Sequence, residues 1–279
     1  MSSFALGFPR NFAETSTPAF LKTQGIYPNR ALGQNFVIDP NTVRRIVRLA
    51  RIEPGEQVLE IGAGVGALTQ ALVDVGAEVV AIEVDRRLVT LLRERFVNLP
   101  VVVFEADVLE VDFSTLPMRS GSWTSIGNLP YSIAATAIIR LLEKAPAMTS
   151  GLFMVQKEVG ERLTAAPGNK AYGAVTVIAE YWADLSLVGN VPRTVFYPRP
   201  HVDSVLLRLQ RRAGPPFDLP LGYEHFLRVV HAGFSQRRKM LRNSLSGIVS
   251  LSTFDRYGID ERSRAEELSL QEWGMLVRG

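Results

Sequence analysis

Short runs of Val, Ile, Leu and Ala recur along the chain, and most are followed by segments whose apolar residues fall three and four apart. QVLEIG (57–62) precedes an apolar-periodic stretch over 68–75, and EVVAIEVD (78–85) precedes RRLVTLLRERF. VVVFEAD (101–107) leads into a loop, SIGNLP (125–130) precedes a helical pattern over 133–143, and GLFMVQ (151–156) precedes KEVGERLTA. Strands that are apolar throughout and alternate with helices predict an α/β unit with a parallel sheet covered on both faces.

Beyond residue 180 the rhythm changes. LSLVGNV (185–191) and VDSVLLRLQ (202–210) read as a late antiparallel pair joined by RTVFYPRPH. AGPPFDLP (213–220) is a proline-rich linker. After it the pattern is helical: YEHFLRVVHAGF, QRRKMLRNSLSGIV and an amphipathic tail over 263–277. The expected organisation is a catalytic domain over 1–212, whose first 30 residues form a loose arm, and a small all-helical domain over 213–279. No internal repeat is visible.

Composition narrows the functional classes. Of 279 residues, 47% are hydrophobic and 21% charged, which suits a sizeable core with a smaller satellite. There is no cysteine, so disulfides, thiolate metal sites and cysteine nucleophiles are excluded. His201, His225 and His231 have no ligand spacing, and no metal is expected. No apolar run approaches the roughly 20 residues of a membrane span. The opening stretch lacks the pattern of a signal peptide. A cytoplasmic protein with no membrane contact is expected.

Net charge is only +3, but it is unevenly spread. Residues 43–110 carry 8 Lys/Arg against 11 Asp/Glu, whereas residues 186–242 carry 10 against 3. A basic region of that size suits a polyanion; a solvated face is the alternative.

EIGAGVGALT (60–69) leaves the first strand and opens a helix. Gly62-x-Gly64-x-x-Ala67, with Glu83 about 20 residues on, matches a dinucleotide fingerprint. An NAD-dependent oxidoreductase is therefore a competitor. Glu60, directly before the loop, would repel a pyrophosphate but suits the ammonium and sulfonium of S-adenosylmethionine. Asp107 ends the third strand, where it can accept from an adenine amine. Gly62, Glu83, Asp107 and Asn128 thus stand at four successive strand ends, where ligands of such sheets collect.

Asn128-Leu129-Pro130-Tyr131 addresses the chemistry of an exocyclic adenine amine, whose lone pair is delocalised into the ring. Acceptors on its two N–H bonds favour a pyramidal nitrogen with its lone pair aimed at a methyl donor. The Asn128 side-chain oxygen and the Leu129 carbonyl can supply them, with Pro130 fixing the turn. Tyr131 can stack on the base. Catalysis would be positioning and electrostatics, with no strong general base. The alternative is a helix-capping turn with Tyr131 packed.

Together these segments resemble the ribosomal RNA adenine dimethyltransferases, the family of the kasugamycin-sensitivity methyltransferase and the erythromycin-resistance methylases. GQNFVID (33–39) is similar to the family's entry motif over the cofactor. EIGAGVGALT, AIEVD, EADVL and GNLPY follow in family order, and VFYPRPHVDSVLLRL (195–209) resembles its late Phe-x-Pro-x-Pro segment. FSQRRKMLRNSL (234–245) is similar to a motif of the branch that modifies small-subunit rRNA. Val37, Ala63 and His201 are conservative departures.

The resemblance implies a Rossmann-like S-adenosylmethionine-dependent methyltransferase sheet with a C-terminal helical RNA-binding domain. The implied substrate is two adjacent adenines in the 3′-terminal hairpin of small-subunit (16S) rRNA, within a 30S particle or precursor, each dimethylated on N6 by a monomeric enzyme. A macrolide-resistance methylase acting on large-subunit rRNA is the alternative within the family. Carried onto this chain, Gln34, Asn35, Val37, Gly62, Glu83 and Asp107 would serve the cofactor, and Asn128 would face cofactor and target. Tyr131 would stack on the target base, and Phe196 would either do the same or be a core aromatic. Arg237, Arg238, Lys239 and Arg242, expected on one helical stretch, would grip phosphates.

Overall fold

The computed structural model describes residues 18–119 and 121–278. Helix α1 (Pro18–Thr23) precedes strand β1 (Phe36–Val37) and helix α2 (Pro40–Ala50). Then come β2 (Gln57–Ile61), α3 (Ala67–Asp74), β3 (Glu78–Glu83), α4 (Arg86–Arg95), β4 (Val101–Glu105), β5 (Trp123–Asn128) and α5 (Ala134–Lys144). They are followed by β6 (Met148–Gln156), α6 (Lys157–Leu163), α7 (Ala174–Trp182), β7 (Ala183–Val191), β8 (Phe196–Tyr197) and β9 (Ser204–Arg211). The chain ends with α8 (Tyr223–Ser235), α9 (Leu241–Ser244), α10 (Leu251–Tyr257) and α11 (Leu270–Leu276). No helix of the described residues is long and apolar enough to cross a membrane.

The seven-stranded sheet has the order β4-β3-β2-β5-β6-β9-β7, and a separate pair joins β1 to β8. β2 pairs in parallel with both β3 and β5, so the chain's direction of growth reverses between β2 and β5. Such a reversal opens a crevice at the carboxyl ends of the strands. Register carries those ends to one level: Ile61 lies opposite Ile82 and Gly127, and Glu83 opposite Glu105.

Two compact units divide the chain, one comprising 1–157 and 188–208, the other 158–187 and 209–279. The expected single cut at 213 therefore differs from the division seen: α7 and most of α6 group with the C-terminal helices. Aromatic packing explains this. Tyr181 and Trp182 of α7 lie 5.1 Å from Phe226 and 5.2 Å from Tyr223 respectively, ring centre to ring centre. Those large rings bury more apolar surface than the chain connection alone would suggest.

In the first unit, the sheet's apolar residues meet Val43, Ile46 and Val47 of α2 in one core. The arm expected to be loose through residue 30 is packed from α1 onward. Leu21 and Ile26 are buried with Phe36, Val65, Leu88 and Leu91. Single anchoring residues of this kind have no periodicity to read. Residues 1–17 lie outside the described residues.

Gly127 shows how tightly β5 sits beside β2. A Cβ there would lie 2.5 Å from the Ile61 carbonyl oxygen. Gly127→Ala should therefore cost about 1–3 kcal/mol, as overpacking does, read as a lower melting temperature. An unchanged melting temperature would show that the two strands separate freely.

Candidate active site

A cleft of about 680 Å³ opens at the strand reversal. Gly62 and Gly64 form its floor with φ of 72° and 59°, the left-handed region that favours glycine. At Gly64 a Cβ would meet the Phe36 ring at 3.2 Å, so the missing side chain shapes the cradle. Gln34, Asn35, Glu83, Asp107, Asn128, Leu129, Pro130 and Tyr131 also line the cleft.

Glu83 is buried, yet its carboxylate is satisfied. Oε2 accepts from Gly64 N–H at 2.8 Å, and Oε1 accepts from Val84 and Asp85 N–H at 3.0 Å. Burial pushes the carboxyl up, against the pull of those three donors. The remaining lone pairs suit a pair of ribose hydroxyls. Asp107 accepts from Leu109 N–H through Oδ1, which leaves Oδ2 for a ligand amine.

The segment before β1 straps across the cleft. Gln34 donates through Nε2 to Asp85 at 3.0 Å and accepts from Asn29 N–H at 2.8 Å. Asp85 is held at about 2, first by the Arg87 guanidinium bonded to it and also by Gln34. Asn128 donates through Nδ2 to the Asn35 carbonyl at 2.8 Å. With that nitrogen committed, Oδ1 is the carboxamide atom left to accept. No donor among the described residues reaches the Leu129 carbonyl. The turn therefore keeps two acceptors without a donor among the described residues.

Tyr131 hydrogen-bonds Ser204 across 73 residues, Oη to Oγ at 3.1 Å. Ser204 is fully buried at the start of β9 and holds the aromatic ring by its polar end. The sequence reading missed Ser204. Its only signal was a polar residue opening an apolar strand.

The structure corrects one expectation, the single helix of basic residues, and sets Glu60, Val37 and Phe196 outside the cleft lining. Glu60 does not line the cleft. It is buried beneath the glycine loop, accepts from Thr69 Oγ1 at 2.6 Å, and faces a neighbouring apolar cavity of about 470 Å³. Val37 lines that same cavity, which shares Phe36, Gly62, Gly64 and Asn128 with the cleft. Phe196 is 3% exposed within the core, which leaves its ring no free face for a base. Arg237, Arg238, Lys239 and Arg242 do not share a helix. α8 ends at Ser235, Gln236 leaves helical geometry at φ −135°, and α9 begins at Leu241. Leu241 is buried and its N–H bonds Ser263, so the chain must turn there rather than continue the helix.

Two further points bear on what binds. Arg237 and Arg242 pair with Glu266 and Glu261, at 2.9 and 2.8 Å, so only Arg238 and Lys239 of that group remain uncompensated. The cleft itself contains two carboxylates and no Lys or Arg. A pyrophosphate would find no counter-charge there. A nucleoside bearing positive charge and no phosphate fits.

The chain matches the family model described as ribosomal RNA adenine dimethylase over residues 27–278. It is 42% identical, over 91% of its length and 92% of the relative's, to a ribosomal RNA small subunit methyltransferase A of Leifsonia xyli. It is 39% identical, over 94% and 96%, to the protein of that name in Moorella thermoacetica. Among solved structures, a dimethyladenosine transferase from Plasmodium falciparum shares the fold (TM-score 0.73, 24% identity, 85% of this chain and 94% of that one). The 23S rRNA methyltransferase ErmE aligns with TM-score 0.66 and 27% identity, over 86% of this chain and 97% of that one.

Burial pushes the Glu60 carboxyl up to about 7, from a usual 4.5. Between those values the folded chain keeps a proton that the unfolded chain has lost. The stability this contributes is complete below pH 4.5 and is lost as pH rises through about 7. Glu60→Gln should therefore gain on the parent chain across that window, by on the order of 3 kcal/mol, and level off above it. A melting-temperature difference that ignores pH would show that Glu60 is ionised in the folded state throughout.

Proposed function

The chain belongs to the ribosomal RNA adenine dimethylase family, and on that premise we propose that it transfers methyl groups from S-adenosylmethionine to N6 of two adjacent adenines in the 3′-terminal hairpin of small-subunit rRNA. The product would be N6,N6-dimethyladenine. The substrate would be a 30S particle or its precursor in the cytoplasm, and the enzyme would act as a monomer. The observation that supports this reading most is the Asn128–Asn35 hydrogen bond, which commits the carboxamide nitrogen and leaves Oδ1, with the Leu129 carbonyl, as the acceptors this reading assigns to the target amine.

S-adenosylmethionine, when bound, supplies an electrophilic methyl group on a sulfonium. The chain's own residues do the rest. Glu83 and Asp107 suit the ribose hydroxyls and the adenine amine. Asn128 Oδ1 and Leu129 O hold the two N–H bonds of the target amine, so that its lone pair turns out of the base plane. Tyr131, its hydroxyl tied to Ser204, offers a ring on which an extruded base stacks, worth roughly 1–3 kcal/mol. The alkylated nitrogen is acidic enough to lose its proton to water, so no general base is needed. In the C-terminal unit, Arg238 and Lys239 supply exposed charge for RNA phosphates.

Two observations separate this from its competitors. The cleft has no base to neutralise a dinucleotide's pyrophosphate, which disfavours an oxidoreductase. Relatives named as small-subunit methyltransferases, 39–42% identical over nine-tenths of the chain or more, support the small-subunit reading.

Mass spectrometry of undermethylated ribosomal subunits, incubated with the protein and S-adenosylmethionine, tests the proposal. Label on dimethyladenines of the small subunit is expected; label confined to the large subunit would replace the reading with the resistance type. Asn128→Ala should lower the turnover rate by about 10²–10³, with melting temperature nearly unchanged. Full turnover in that variant would remove Asn128 from the chemistry.

A further inference from the structure

Helix α2, PNTVRRIVRLA, carries a charge arrangement that the reactive site does not use. Asp39 caps it, accepting from Asn41 and Thr42 N–H, and Val43, Ile46 and Val47 bury its inner face. Arg44 and Arg48, at i and i+4, share one outer face, Arg51 follows as the C-cap with φ 57°, and all three are exposed. Arg45 lies beside them and donates to the Asn190 carbonyl at 2.8 Å.

None of these four forms an ion pair among the described residues. Other exposed arginines do find carboxylates: Arg86 bonds Glu105, Arg162 bonds Glu158 and Arg242 bonds Glu261. Of the acids nearby in sequence, Glu53 is exposed and forms no ion pair with these arginines, and the others are engaged or buried. Asp39 is spent on the cap, and Glu56 accepts from Glu53 N–H and Thr124 Oγ1. Glu60 and Glu83 are buried at the strand ends. A stretch that is net acidic by count thus presents a positive surface.

That surface begins close to the site in the chain. α2 starts three residues after β1, and Asn35, just before β1, holds Asn128. From Arg44 to Arg51 the helix rises about 10 Å, a length over which one nucleic acid strand carries about three phosphates.

We propose that Arg44, Arg48 and Arg51 bind the sugar–phosphate backbone of the RNA segment that flanks the target adenine. The occupant is RNA rather than an acidic protein because the same unit holds the cleft proposed above to take a base, which would bring that base's own strand to this unit. The inference rests on the methyltransferase reading above.

The test uses the full chain with Arg44→Gln, Arg48→Gln and Arg51→Gln combined. Binding is measured by anisotropy to protein-free small-subunit rRNA, and to undermethylated small subunits, over a range of salt. Affinity for both should fall roughly 10–100-fold at low salt, and the slope of log affinity against log salt should decrease by about 2–3. The corresponding triple lysine variant should restore the slope. Binding of S-adenosylmethionine, read by calorimetry, should stay the same.

Unchanged RNA affinity and slope would overturn the proposal. So would a loss seen with subunits but not with protein-free RNA, which would assign the stripe to an acidic ribosomal protein. So too would a loss that lysine does not rescue. A parent chain that binds RNA but methylates no rRNA would instead sink the function proposed above, which keeps the two failures apart.

Discussion

The buried carboxylate of Glu83 organises the site. A charge in so dry a place is costly unless hydrogen-bonded, and here three backbone N–H groups surround it. One belongs to Gly64 in the loop after β2, so the bond stitches that loop to the end of β3. Another belongs to Asp85, whose side chain takes Gln34. Gln34 adjoins Asn35, whose carbonyl holds Asn128. Floor, strap and reactive turn are thus one hydrogen-bonded chain, and the glycines are needed because side chains would fill the space it encloses.

Charge is used differently in different places. In the cleft it is negative, unneutralised by any base, and suited to a cationic donor. Beneath the glycine loop, Glu60 is buried and accepts from Thr69. Arg95 donates to the Val65 carbonyl from below, adding a second support to the same loop. On the outside of α2 the arginines form no ion pair among the described residues, although Arg44 donates to Asn41 and Arg45 to the Asn190 carbonyl. Local solvation and pairing decide what each charge does, and a count over a window averages them away.

Much of this was legible beforehand. The parallel sheet showed in apolar runs separated by helical periods, because strands buried on both faces admit few polar residues. Glu83, Asp107 and Asn128 were legible because each stands where such a run stops. α2 is less plain in the sequence, because Val43, Ile46 and Val47 make only a short apolar stripe among arginines. Ser204 and the packed arm of Leu21 and Ile26 left no pattern to find. Each is a single residue whose partner lies far away in sequence.

By itself, the order of residues determined the element types, the ordered strand-end set and the Asn-Leu-Pro-Tyr turn, because these depend on neighbours within a few positions. The tertiary structure alone decided that Glu60 and Phe196 face inward, that Arg237 and Arg242 are neutralised, that α7 packs with the C-terminal helices, and that Asn128 points one nitrogen at Asn35. Each of those outcomes turns on contacts between segments tens of residues apart, where burial and hydrogen-bond geometry, rather than local propensity, set the energy.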